Sequence, residues 1–228
     1  MSGPTIVFDL DGTLIDTAPD LVATLNVILA REGIAEIPYD TARTFIGGGA
    51  RLMIERGLTA DRKTPTPDLV GRMFEAFLEH YSAHIADRSR PFPGLEAALD
   101  DLAARGCRLA VCTNKLERLS VQLLDALGLS SRFAAICGQD TFGIQKPDPL
   151  VLQKTIAAAG GRPARAVMIG DSATDIRTAQ ALGVPVVAVD FGYTDRHVSV
   201  FAPDRVIGHF GELAGALEAI GAFAPQKP

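Results

Sequence analysis

Four short segments hold side chains suited to chemistry. Asp9-Leu10-Asp11-Gly12-Thr13-Leu14 carries two carboxylates two residues apart, and in an extended segment that spacing projects both to one side. Thr113-Asn114-Lys115 offers a hydroxyl, Lys146-Pro147-Asp148-Pro149 a lysine just before a proline-marked helix start, and Gly170-Asp171-Ser172-Ala173-Thr174-Asp175 two further carboxylates. Together these could bind a hard cation, move a proton and hold an anion. Each also has an ordinary reading. Asp and Gly are common turn residues, a Thr after a strand often caps a helix, a lone Lys is commonly solvated, and Asp171 or Asp175 can cap the helix that follows. Four such segments in this order, at the ends of apolar runs, are hard to explain by turn chemistry alone.

The apolar runs are what would position them. Thr5-Ile6-Val7-Phe8 is short and β-branched, the profile of a buried parallel strand. Similar runs recur at 108–112, 134–137, 166–169 and 185–189. Helical patterns lie between them, over 95–104, 116–127 and 173–182, stopped by Gly106, Gly128 and Gly183. Strands alternating with helices of this length predict an α/β chain with a parallel sheet covered on both faces. The carboxyl ends of such strands are where an open sheet binds ligands, and all four segments fall at strand or helix junctions of this kind.

Residues 17 to about 87 break the rhythm. Thr17 is expected to cap a helix with Pro19 in its first turn and Leu21, Val22, Leu25, Ile28 and Leu29 on one face. Thr66-Pro67 opens another, with Leu69, Val70, Met73, Phe74, Phe77, Leu78 and Tyr81 on its apolar side. Shorter helical pieces around 41–45 and 51–55 flank Gly47-Gly48-Gly49, and this stretch contains no strand candidate. The pattern divides the chain into an α/β core, 1–15 plus 88–228, and a helical cap, 16–87.

Composition narrows the function classes. The 228 residues are 47% hydrophobic and 21% charged, a globular balance with room for a core domain and a small insert. The net charge of -5 disfavours a general nucleic-acid binder. No apolar run approaches the ~20 residues that span a bilayer, and Met1-Ser2-Gly3-Pro4 has none of the features of a secretory signal. Cys107, Cys112 and Cys137 fit neither a zinc site nor a disulfide framework. A reduced, cytoplasmic protein with no membrane or nucleic-acid partner is expected; the oligomeric state is not legible.

In order and spacing, Asp9-Leu10-Asp11-Gly12-Thr13, Thr113-Asn114, Lys146-Pro147 and Gly170-Asp171-Ser172-Ala173-Thr174-Asp175 resemble the four motifs of the haloacid dehalogenase superfamily. The likeness runs the length of the chain and includes the helical insert, which resembles that superfamily's cap. It implies a Rossmann-like parallel-sheet core with an inserted all-helical cap. Within the superfamily, Thr44-Phe45-Ile46-Gly47-Gly48-Gly49-Ala50 and Phe191-Gly192-Tyr193 are most similar to phosphoglycolate phosphatases.

The implied chemistry is Mg²⁺-dependent hydrolysis of a small phosphorylated metabolite, 2-phosphoglycolate first among them. A carboxylate can attack phosphorus and form an acyl-phosphate that water later cleaves. Asp9 would repel an anionic phosphate unless a cation intervened, and hard oxygen ligands suit Mg²⁺. Asp9 is therefore expected as nucleophile and ligand, with Asp171 as the other carboxylate ligand; by resemblance the backbone carbonyl of Asp11 completes the set. The Asp11 side chain is left for proton transfer. Thr113 and Lys146 are expected on the phosphoryl oxygens, joined by the backbone N–H of Asn114, and Asp175 behind them, orienting Lys146 or a metal-bound water. In the cap, Arg43 and Arg51 beside the glycine run are the candidate readers of a substrate carboxylate. Sugar-phosphate phosphatase, pyrophosphatase and a β-phosphoglucomutase-like mutase share the core residues and stay open, and a non-catalytic phosphometabolite-binding module is the reading outside enzymology.

Overall fold

A computed structural model describes residues 3–194 and 196–224; Met1 and Ser2, part of the N-terminal signal reading, lie outside them. The chain opens with β1 (Thr5–Phe8) and the two-residue β2 (Ile15–Asp16). Helices α1 (Ala18–Arg31), α2 (Tyr39–Arg43), α3 (Ala50–Ala60) and α4 (Pro67–Ala83) follow, and β3 (Arg90–Pro91) returns to pair antiparallel with β2. Then come α5 (Leu95–Ala104), β4 (Arg108–Cys112), α6 (Glu117–Ala126), β5 (Ala135–Cys137), α7 (Pro149–Ala158), β6 (Ala166–Gly170), α8 (Ala173–Leu182), β7 (Val186–Val189), β8 (Arg205–Ile207) and α9 (Leu213–Ala219).

Six strands form one parallel sheet in the order β5-β4-β1-β6-β7-β8. The fold is α/β, a parallel sheet with helices on both faces, as the alternation of patterns predicts. Period-two alternation sends Ile6, Phe8, Leu109, Val111, Val167 and Ile169 to one apolar cluster, and Val7, Ala110, Cys112 and Met168 to another on the opposite face. A strand buried on both faces needs apolar residues throughout, which is why β1, β4, β6 and β7 read as unbroken runs.

Register then decides the site. Phe8 pairs with Val111 on one side and Ile169 on the other. Asp9, Thr113 and Asp171 therefore leave the sheet at adjacent carboxyl ends. The chain steps outward from β1 to β4 and β5, then crosses back to place β6 on the other side of β1. That reversal opens the crevice in which an α/β sheet binds ligands.

Helices α1 to α4 lie between β2 and β3, and that short ribbon joins them to the sheet. Asp16, with which the pattern begins the helical insert, is the second residue of β2. Two residues per strand leave no periodicity to read. Helices α1, α3 and α4 pack on one another through Leu25, Leu29, Met53, Leu58, Met73 and Phe77, all buried. Asp20, also buried, fixes the base of the insert: its carboxylate accepts from the Arg88 and Ser89 N–H groups and the Ser89 hydroxyl. Thr17 precedes α1 but does not cap it with its side chain; its hydroxyl donates to Asp11 at 2.7 Å. The stop at Gly183 is real: it adopts φ 73°, a left-handed conformation that glycine takes at little cost. All three cysteines are free. Among the described residues no helix is long and apolar enough to cross a membrane.

Candidate active site

Asp9 is the first residue beyond β1, and its N–H is held by the Ile169 carbonyl at 2.9 Å. Its side chain is buried and meets Lys146 Nζ at 2.9 Å. The same ammonium donates to Asp175 at 2.6 Å, with Lys146 and Asp175 both out of contact with solvent. Asp171, past the end of β6, accepts from the Thr13 hydroxyl at 3.0 Å and from the Tyr193 N–H at 2.9 Å. Asp175 serves twice. Its second oxygen accepts from the Ser172 N–H and hydroxyl, closing a capping box that starts α8. Thus the helix-cap and site-facing readings of Asp175 describe one geometry.

Ligand atoms of Asp9, Asp171 and Asp175 lie within 4.8 Å of one another, all buried. Three carboxylates facing one lysine leave uncompensated negative charge, and the acidities follow. Burial, opposed by Lys146 and reinforced by Asp175, lifts the Asp9 pKa to about 6. Burial, then the charges of Asp175 and Asp9, lifts Asp171 to about 8 against the pull of the Tyr193 N–H and Thr13. Burial works against the Lys146 ammonium, but Asp175 and Asp9 outweigh it and hold its pKa above the ordinary lysine value. A hard divalent cation would relieve this arrangement, and an all-oxygen donor set fits one.

Asp11 stands beside this cluster and is held differently. Thr17 Oγ1 donates to it at 2.7 Å, and Lys115 Nζ reaches both its oxygens at 2.9 and 3.1 Å. Thr113 is buried at the end of β4, its hydroxyl accepting from the Lys115 N–H. The Asn114 side chain clasps the backbone of Lys146, accepting from its N–H at 2.9 Å and donating to its carbonyl at 3.1 Å. It also reaches the Gly47 carbonyl at 3.3 Å. Gly49, at φ 84°, comes so close to the sheet that a Cβ there would sit 3.3 Å from the Asn114 carbonyl.

The insert closes over these groups. Leu21, Ile46, Met53, Phe74, Phe77 and Leu78 face Asp9, Asp11, Thr113, Asn114 and Lys115 across a cavity of about 40 Å³. By the same measure a single water needs only about 10–15 Å³, so the space holds a few waters. Arg43 and Arg51 are not part of the lining. Arg43 Nη2 donates to the Gly192 carbonyl at 2.7 Å and its guanidinium lies 5.3 Å from the Tyr193 ring centre. Arg51 is exposed and stacks 4.0 Å from the Phe74 ring centre.

The chain matches the haloacid dehalogenase-like hydrolase family over residues 6–189, most of its length. The chain belongs to this family. It is 53% identical over 213 residues to a phosphoglycolate phosphatase of Mesorhizobium japonicum, covering 93% of this chain and 94% of that one. It is 47% identical to a phosphoglycolate phosphatase of Caulobacter vibrioides, with 95% and 91% covered. A crystal structure of a predicted phosphoglycolate phosphatase from Haemophilus somnus superposes with a TM-score of 0.88 at 28% identity, covering 94% of this chain and 98% of that one.

Three groups at this hydrolase site escape a reading of residue types. Lys115 sits within a segment the sequence singles out, but a lysine is solvated by default. Tyr81 belongs to the apolar stripe of α4, where an aromatic reads as core. Tyr193 is visible only as part of Phe191-Gly192-Tyr193. Its N–H holds Asp171, while its hydroxyl accepts from the Thr17 and Ala18 N–H groups and donates to Asp16 at 2.7 Å.

Proposed function

We propose that this chain is a Mg²⁺-dependent phosphomonoesterase that converts 2-phosphoglycolate to glycolate and phosphate through a phosphoryl group carried on Asp9. The observation that carries the reading is the buried set of Asp9, Asp171 and Asp175 with Lys146 between two of them, beside Asp11 in the lining of the cavity under the helical insert. The relatives named phosphoglycolate phosphatase supply the substrate.

In this scheme Asp9, Asp171 and the Asp11 backbone carbonyl hold Mg²⁺. When bound, the ion neutralises the carboxylates and the facing phosphoryl oxygens, allowing two anions to approach. A carboxylate oxygen of Asp9 attacks phosphorus in line; the bond to the leaving oxygen breaks, and Asp11 gives that oxygen a proton. Asp11 then takes a proton from water, which attacks the same phosphorus and releases Asp9. Thr113, the Asn114 N–H and Lys146 hold the phosphoryl oxygens where charge develops. Asp175 and Asn114 fix Lys146 from its two ends, side chain and backbone, so that its charge is in place beforehand. We take residues 16–87 as the cap and 1–15 with 88–228 as the core, the cap opening to admit substrate and closing to exclude water.

The names of the relatives favour this substrate over the mutase and sugar-phosphatase readings. The test is Mg²⁺-dependent phosphate release from 2-phosphoglycolate, hexose phosphates, pyrophosphate and an aryl phosphate, compared as kcat/KM. Preference for 2-phosphoglycolate is expected. A higher value for a hexose phosphate or pyrophosphate overturns the substrate, and no release from any of them overturns catalysis in favour of a binding module.

A further inference from the structure

One polar atom stands apart in the cavity. Among the described residues, the Tyr81 hydroxyl is the buried side-chain oxygen without a hydrogen-bond partner in the chain, and its residue is 1% exposed. It lines the cavity from the cap side, on α4. A buried hydroxyl with no partner is a desolvation cost to the folded protein, and phenylalanine would fill the same space without it. Tyrosine at this position therefore calls for a partner that arrives with the substrate.

Lys115 is its neighbour from the core side. Its ammonium lies 4.5 Å from the Tyr81 ring centre, and its side chain is 5% exposed. Two of its N–H groups point to the two oxygens of Asp11. An ammonium has three, and its remaining interaction, with the Tyr81 hydroxyl, falls outside hydrogen-bond geometry, so one donor can turn to a ligand. Of the residues lining the cavity, Asp9, Asp11 and Lys115 carry charge, and Lys115 alone is a cation. Any second negative group on a bound phosphate ester would have to settle on it, because the remaining cap lining beside Tyr81 is largely apolar and offers no countercharge.

We propose that Lys115 from the core and Tyr81 from the cap form the subsite for the leaving group's carboxylate, one supplying charge and the other a neutral O–H donor. This rests on the reading of the chain as a phosphatase of a phosphorylated two-carbon acid, and it moves carboxylate recognition from Arg43 and Arg51 to residues that face the cavity. The pairing spans the cleft. Substrate bound to Lys115 on the open core would acquire the Tyr81 contact only as the cap closes, so an acid of the right length draws the lid down on itself. A phosphate ester lacking the carboxylate forms neither contact. Lys115 would thereby distinguish substrates on the same side chain that steadies Asp11.

The experiment compares 2-phosphoglycolate with its primary amide, which keeps the shape and loses the charge. The quantity read is the ratio of their kcat/KM values, since damage to the shared phosphoryl chemistry divides out. The wild-type enzyme should favour the acid by about tenfold to a hundredfold, the range for a hydrogen-bonded charge. In Tyr81→Phe and in Lys115→Met, both of which retain most of the apolar contact, the ratio should fall toward one, more completely for Lys115→Met. Melting curves confirm that each variant is folded. A wild-type preference that persists in both variants overturns the subsite and leaves the phosphoglycolate reading intact. A wild-type enzyme that hydrolyses both substrates alike overturns the substrate reading, and the subsite falls with it.

Discussion

The two walls of the cleft are built on opposite terms. On the core wall these charged groups are held by partners: Lys146 by Asp9 and Asp175, Asp171 by Thr13 and Tyr193, Asp11 by Thr17 and Lys115. On the cap wall Leu21, Ile46, Met53, Phe74, Phe77 and Leu78 present apolar surface, with the hydroxyl of Tyr81 as an exception. The difference teaches how the work is divided. Phosphoryl chemistry needs fixed charges, and charges are held most rigidly at strand ends that their neighbours in the sheet already constrain. Excluding water and setting substrate size need only shape, which a packed helical face supplies.

The sharpest way to break this comparison is to remove the central charge of the core wall. Asp9→Asn keeps the shape and removes the nucleophile, so kcat should fall by roughly 10⁴-fold or more, the scale seen for essential catalytic groups. Folding should not suffer, because Lys146 retains Asp175 and the acidic cluster loses one repulsive member. Steady-state turnover with a parallel melting curve is the check. Near-normal turnover would remove Asp9 from covalent chemistry; a collapsed Tm would mean that the core wall is structural first.

The same cluster should announce itself in how pH and Mg²⁺ act on stability. Burial and the charges of Asp175 and Asp9 raise the Asp171 pKa from 3.8 to about 8 in the metal-free chain. Between those values the folded state binds more protons than the unfolded one. The contribution from the neutral carboxyl is therefore complete below pH 3.8 and is lost as pH rises toward 8. A cation binds the ionised form, so the Tm increase caused by saturating Mg²⁺ should grow from about pH 6 to pH 8. Asp171→Asn should flatten and shrink that increase, whereas Asp11→Asn, which keeps its backbone carbonyl, should leave most of it. Equal losses in the two variants would contradict the separate roles given to them.

What the sequence made legible follows the same division. Strands β1, β4, β6 and β7 could be read because burial on both faces demands continuous apolar runs. The edge strand β8 could not, with three residues and Arg205 among them, nor could β2 and β3 with two residues each. Asp9, Asp11, Thr113 and Asp171 stood out because polar residues at the ends of buried strands need a reason to be there, and Lys146 because it stands just before the proline-marked start of α7. The cap offered no such contrast. An apolar stripe on α4 is the same pattern whether it lines a cavity or fills a core, so Tyr81 looked like packing. Thr17 has the type of a helix cap, and only its three-dimensional setting turns the hydroxyl to Asp11. Lys115 carries a charge whose burial no local pattern announces.

The smallest expected effects belong to the two arginines of the cap, and they distinguish a latch from a reader. Arg43 bonds a backbone carbonyl of the core, that of Gly192, whose neighbour Tyr193 holds Asp171. Losing this charge-assisted bond in Arg43→Ala costs about 1.5–3 kcal/mol where the contact is fully formed. The contact joins the closed cap to the core, so the loss should appear as a higher KM of about tenfold. It should be equal for 2-phosphoglycolate and an aryl phosphate, because the bond touches neither leaving group. Arg51 is exposed and covers Phe74, a cation–π contact of ~0.5–1 kcal/mol at such a site, so Arg51→Ala should change either substrate by no more than a few-fold. Steady-state kinetics on both substrates with both variants decides the matter. A selective loss of 2-phosphoglycolate turnover in Arg51→Ala would place a carboxylate-reading cation on the cap, and the contrast between a charged core wall and an apolar cap wall would no longer hold.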